Sequence, residues 1–242
     1  MALRPCNRDT ANMLDLSEQE IAALLLSLKI AAWSSVLSCP PAIVIGWMLA
    51  RFQFAGKALL DGLIHLPLVL PPIVPGYLLL LLLGNNGLMG RWLNQHFGIS
   101  VAFSWRGAVL ASMVMAFPLM VRAVRLSVAA IDPRLENAAR TLGANPLLVF
   151  FSITLPLAAP GILAGVVLGF SRSLGEFGAT ITFVGNIEGE TRTLPLAIYT
   201  ATQMPGGDDQ AARLVVLSML LALAALAGSE LLSRKLHPKT AN

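Results

Sequence analysis

The sequence predicts an all-α integral membrane protein, and three observations lead there. Of its 242 residues 56% are hydrophobic and 12% charged, with a mean hydropathy of +0.72, a balance outside that of soluble domains. The apolar residues gather into stretches long enough to cross a bilayer core of about 30 Å, which takes about 20 residues of helix. The 17 basic residues stand between those stretches and form no patch. That arrangement fits membrane-flanking loops and offers nucleic acid no footprint.

About five transmembrane helices follow in order. Residues 1–17 are polar, carry Arg4, Arg8, Asp9 and Asp15, and lack the pattern of a cleavable signal, so they are read as an external N-terminal segment. The transmembrane domain covers 18–234, and 235–242 form a cytoplasmic tail. The first span runs from Ile21 to Ala50, with Lys29 near its outer end and Pro40-Pro41 marking a kink. The second runs from Leu59 to Leu83. Pro67, Pro71, Pro72 and Pro75 each remove a backbone donor there, so this span must bend; a gate or a curved scaffold would both use such a bend. His65 is read as a hydrogen-bonded residue, not a metal ligand. Residues 84–104, with Trp92 and Phe97, form an external loop with an aromatic rim that continues to Trp105. The third span runs from Trp105 to about Val121. The fourth begins near Pro156 and loses regularity beyond Phe170. Residues 185–213 are external, with Leu194–Ala201 as a re-entrant or interfacial piece, and the last span runs from Leu214 to Leu232. Cys6 and Cys39 are too far apart in sequence to define a disulfide framework or a zinc site.

Basic residues orient the chain. Arg51, Lys57, Arg122, Arg125, Arg134, Arg140, Arg234, Lys235 and Lys239 fall on one side; Arg4, Arg8, Arg91, Arg106, Arg192 and Arg213 fall on the other. Nine against six makes the first side cytoplasmic, with the N-terminus outside and the C-terminus inside.

One polar helix interrupts the apolar pattern on that cytoplasmic side. Asp132 caps its start, Pro133 occupies its first turn, and Gly143 and Pro146 mark its end. Leu135, Ala138, Ala139 and Leu142 share a narrow, mostly small apolar face. Glu136 precedes Arg140 by one helical turn, an exposed pairing worth about 0.3–0.5 kcal/mol. Such a shallow helix is suited to docking in another protein's groove. Nearer the outer side, Ser171, Arg172, Ser173, Gly175 and Glu176 break an apolar helix. Arg172 at membrane depth would cost roughly 2.5–3.5 kcal/mol unless paired or wetted. Glu176 is one turn away, so the two form either a structural ion pair or a lining of a transport path. Gly161, Gly165 and Gly169 share one helix face and permit close packing, within a subunit or between two.

Catalytic signatures are missing. Gly56-Lys57 has Arg51 and Ala58 where a phosphate loop needs glycine and a hydroxyl, and no zincin or nucleophile-elbow motif occurs. Any ATP used would have to be hydrolysed by another chain.

The loop 127–156 resembles the coupling loop of ABC importer permeases: Glu136, Ala138, Gly143, Ile153, Leu155 and Pro156 match the pattern, with Asn137 in place of an alanine. Ser27–Lys29, His65–Gly76, Phe103–Ala108, Phe117–Ala123, Ser173–Thr180 and Gly189–Pro195 extend the resemblance to the molybdate branch of the sulfate/molybdate permeases. It implies the type I importer permease fold, a homodimer in the bacterial inner membrane, two cytoplasmic ATP-binding subunits using ATP and Mg, and a periplasmic molybdate-binding protein. Carried onto this chain, it makes Leu135, Glu136, Ala138, Ala139, Arg140, Leu142 and Gly143 the surface that meets the ATPase. Pro71, Pro72, Ser171, Arg172, Ser173, Gly175 and Glu176 become candidates for the path or gate. The chain itself would bind no cofactor or metal and catalyse nothing. Sulfate, thiosulfate or tungstate import is the alternative within the family; an ion-coupled secondary transporter using Arg172, Glu176 and Lys29 as a relay is the alternative outside it.

Overall fold

A computed structural model describes residues 16–236. Most of the predicted external segment 1–17 and of the tail 235–242 lies outside the described residues.

The first helix, α1 (Glu18–Arg51), starts at a capping box. The Ser17 side chain accepts from the Glu20 N–H, and the Glu20 carboxylate accepts from the Ser17 N–H. It then runs unbroken through Pro40-Pro41, so the kink predicted there does not interrupt it. The second predicted span is not one rod. It divides into α2 (Lys57–Val69) and α3 (Ile73–Leu83), bent by 112° across Leu70-Pro71-Pro72, because consecutive prolines supply no donors to carry the ladder past the bend. A short helix, α4 (Leu88–Phe97), lies in the predicted external loop. Ser104 caps α5 (Trp105–Ala129) by accepting from Gly107. This helix continues two turns beyond the predicted end at Val121 and carries Arg122 and Arg125 with it.

The polar helix is α6 (Pro133–Thr141). Pro146 does not close it; Asn145 caps the next helix by accepting from the Leu148 N–H at 2.7 Å, with Pro146 in the first turn of α7 (Pro146–Val149). A π-turn over Phe150–Thr154 joins α7 to α8 (Leu155–Leu174), so the span starts about ten residues before the predicted Pro156. Pro156 explains the wide turn. It cannot donate to Ser152 and its ring obstructs that carbonyl, while the Leu155 N–H donates back to Phe150. Then come α9 (Gly178–Val184), α10 (Leu194–Gln203) in the predicted interfacial piece, and α11 (Asp208–Leu236).

α5 is the central rod, flanked by α1 and α8. Ala42 and Leu49 of α1 meet Met120 and Val121, while Val124 and Val128 meet Ala158 of α8. Small residues let the rods close up, since lipid provides no hydrophobic drive between helices. A side chain at Gly46 would strike Val124 at 2.7 Å, one at Gly169 would strike the Met120 sulfur at 2.7 Å, and one at Gly165 would press on Ala123 at 3.1 Å. The Gly161–Gly169 face is thus packed within the subunit.

Among the described residues three helical stretches are long and apolar enough to cross a membrane, and the bent α2–α3 pair meets the same requirement only when its two halves are taken together, as a broken span or a re-entrant loop. The predicted span Leu214–Leu232 falls on α11, whose side chains are described only in its first part.

Candidate coupling surface and gate

At one end of the bundle, α6 is held by its single acidic residue. Asp132 opens the helix by accepting from the Arg134 N–H at 2.9 Å. Beyond its end Gly143 takes φ +89°, where a side chain would be strained, and its N–H donates to Arg140 while Ala144 donates to Ala139. Glu136 does not lie on the exposed face and does not pair with Arg140. It is 6% exposed and turned inward: Arg51, the last residue of α1, reaches its Oε1 through Nη2 at 3.0 Å and Nε at 3.1 Å, and the Thr154 hydroxyl donates to the same oxygen at 2.8 Å. Arg51 also donates to the Ile131 carbonyl at 3.1 Å. One carboxylate therefore ties the loop to α1 and to the π-turn below α8.

α6 presents apolar residues outward alongside Arg134, Asn137 and Arg140. Leu135 is half exposed and Leu142 is 89% exposed; Leu147, Leu148 and Phe151 extend the surface along the next turns. Ala138, Arg140 and Gly143 are also exposed, and Ala139 is partly so. Of the seven residues predicted to face a partner, Glu136 alone is withdrawn from it. The residues that sequence reasoning missed are Arg51 and Thr154. Nothing local in the sequence links Arg51 to Glu136, which lies 85 residues away.

The second site is where two backbone breaks meet. α8 ends at Leu174, and Arg172 reaches Glu176 Oε2 at 2.6 Å as the spacing predicted. The Glu176 side chain is 1% exposed, and its other oxygen accepts from the Ala179 N–H at 2.9 Å, so it also holds the first turn of α9. Against this break lies the α2–α3 bend. A side chain at Gly178 would strike the Pro72 Cβ at 2.6 Å, and one at Gly76 would strike the Ala179 carbonyl at 2.6 Å. Ser173 is buried and accepts from the Ser34 hydroxyl of α1 at 2.8 Å. Ser171 and Gly175 face away from the prolines, lining a cavity of about 270 Å³ against α10 and α11. The predicted gate residues thus divide between two faces of the break.

Two other predicted features acquire partners. Lys29, one of the membrane-depth cations, rests 3.7 Å from the centre of the Trp105 ring. His65 Nδ1 lies 2.8 Å from the Asp61 carbonyl and 3.2 Å from its carboxylate, and Arg125 of α5 reaches that carboxylate at 2.7 Å. Asp61 at one turn's distance is the partner that the sequence reading of His65 passed over.

This fold is that of ABC importer membrane chains. It aligns at a TM-score of 0.74 and 18% identity with a chain of a bacterial ABC transporter that imports the acidic polysaccharide alginate, over 91% of this chain and 80% of that one. A chain of the MetNI methionine ABC transporter in an inward-facing form aligns at 0.67 and 17% identity, over 91% and 99%. Residues 42–238 match the binding-protein-dependent transport system inner membrane component, and the chain belongs to that family. It is 59% identical to the molybdenum transport system permease protein ModB of Haemophilus influenzae over 91% of this chain and 96% of the relative. The corresponding ModB protein of Escherichia coli K12 is 58% identical over 90% and 96%. The sulfate transport system permease protein CysT of E. coli K12 is 37% identical over 84% and 74%.

Proposed function

We propose that this chain is the membrane-spanning subunit of an ATP-driven importer that passes molybdate, or its tungstate analogue, delivered by a periplasmic binding protein. Two copies of the chain form the path, and two cytoplasmic subunits hydrolyse ATP with Mg. The observation that carries this reading is the identity of 58–59% to molybdenum permeases across nearly the whole chain, against 37% to the sulfate permease. The segregation of basic residues supports a periplasmic N-terminus and a cytoplasmic C-terminus.

In this mechanism the ATPase grips Leu135, Ala138, Ala139, Arg140, Leu142 and Gly143. Closure of the ATPase pair displaces α6, and the Glu136–Arg51 clamp transmits that displacement to α1. α1 is one continuous helix and is hydrogen-bonded through Ser34 to Ser173, so its movement reaches the Pro71-Pro72 bend and the Arg172–Glu176 break. The two conformations then differ in the contacts each makes with ATPase and binding protein, which lets nucleotide shift their populations.

Vesicles containing this chain and its ATPase, supplied with binding protein, test the proposal. ATP-dependent molybdate uptake that survives excess sulfate is expected. Uptake suppressed by sulfate would transfer the substrate to the sulfate class, and uptake persisting without the ATPase would overturn the importer mechanism.

A further inference from the structure

A groove of about 420 Å³ opens on the surface between α1 and α5. Trp33 and Leu37 of α1 and Leu110 and Met113 of α5 form its walls, and Trp105 and Arg106 stand at one end. Trp33 and Leu37 are each about half exposed. At the Trp105 end two cations meet the same ring: Lys29 Nζ is 3.7 Å from its centre and the Arg106 guanidinium carbon is 5.8 Å away. Among the described residues neither cation makes a salt bridge. A carboxylate, Glu190, also reaches this end and accepts from the Trp105 N–H at 3.4 Å.

Helix geometry places that end at a membrane boundary. Lys29 and Arg51 are about 33 Å apart along α1 at about 1.5 Å per residue, which matches a hydrocarbon core of about 30 Å. With Arg51 beside the coupling loop, Lys29, Trp105 and Arg106 mark the opposite surface. The groove runs inward from them, reaching about 12 Å deep at Met113. Cationic and aromatic at the interface and apolar below, it complements an anionic headgroup above an acyl chain.

We propose that this groove binds one anionic phospholipid in the leaflet away from the coupling loop, with its phosphate held by Lys29 and Arg106 and an acyl chain laid along Trp33, Leu37, Leu110 and Met113. A second copy of the chain is a poor occupant, because a two-fold contact centred on the Trp105 end would bring the same cations together. A zwitterionic lipid would leave the net positive charge of this end uncompensated.

The test uses the chain with its ATPase partner in detergent, with Trp47 and Trp92 replaced by Phe so that Trp33 and Trp105 report. Brominated phosphatidylglycerol is expected to quench their fluorescence with an affinity at least about fivefold above brominated phosphatidylcholine. Lys29→Gln with Arg106→Gln is expected to abolish that preference, whereas Arg106→Lys retains it. Co-purification of ATPase with each variant shows that the fold survives. Equal quenching by both lipids, or a preference unaffected by the double substitution, would overturn the proposal. So would near-complete disulfide dimer formation by Leu37→Cys, since the groove would then be covered by a second copy.

Discussion

Glu136 carries two demands that conflict in a helix meant to dock. Its position in the first turn of α6 favours a negative charge near the helix N-terminus, yet its side chain is needed inside, where Arg51 ends α1 with a side chain 14% exposed. Removing the carboxylate would strand that partly buried charge and deprive Thr154 of its acceptor. Glu136→Ala is therefore expected to destabilise the subunit by about 2–3 kcal/mol, read as a lowered thermal midpoint in detergent. The double variant with Arg51→Ala should lose less than the sum of the two single changes, because they share one interaction. Additive losses would separate the two residues. Glu136→Arg would reduce transport by the same route, through like charges facing each other in the clamp rather than through a spoiled docking face.

At the scale of elements, the α2–α3 bend and the α8–α9 break are each tolerable only beside the other. Backbone that leaves helical geometry at membrane depth must be satisfied by protein or water, and here Glu176 caps α9 while Pro72 lies on Gly178. The contact is close enough that a methyl group cannot enter. Gly76→Ala and Gly178→Ala are each expected to push the two elements apart at about 1–3 kcal/mol and to lower ATP-dependent uptake. Gly175→Ala is the control: nothing lies within 4 Å of an added Cβ, and its φ of −93° is open to any residue. A change within about 0.5 kcal/mol is expected there, measured by thermal unfolding of the three variants side by side. If Gly175→Ala proved as damaging as the others, the close approach would not be the cause.

For the whole molecule, the exposed apolar residues Leu135, Leu142, Leu147, Leu148 and Phe151 follow one another along α6, α7 and the π-turn, and exposed apolar residues gathered in one segment are what an interaction site requires. Leu142→Asp is expected to weaken co-purification of the ATPase by tenfold or more, about 1.4 kcal/mol, with the thermal midpoint of the isolated subunit unchanged because Leu142 packs on nothing. Glu136→Ala should show the reverse order of effects. Unaltered ATPase capture by Leu142→Asp would remove this surface from the coupling mechanism.

The sequence by itself determined what rests on local pattern. Apolar stretches of membrane length, the Asp132 cap with Gly143 beyond the helix end, the proline-forced bend and the Arg172–Glu176 pair at one helical turn all depend on near neighbours in the chain. The placement of Glu136 on an exposed face failed for a physical reason: a periodicity argument sees only its own helix, and Arg51 is far away in sequence. Tertiary structure alone decided which side of α6 turns inward, that the Gly161–Gly169 face packs within the subunit, and that two separate backbone breaks share one contact. Those choices follow from how three rods close on small side chains in a solvent that offers apolar surfaces no reason to associate, where steric fit and buried polar partners select the arrangement.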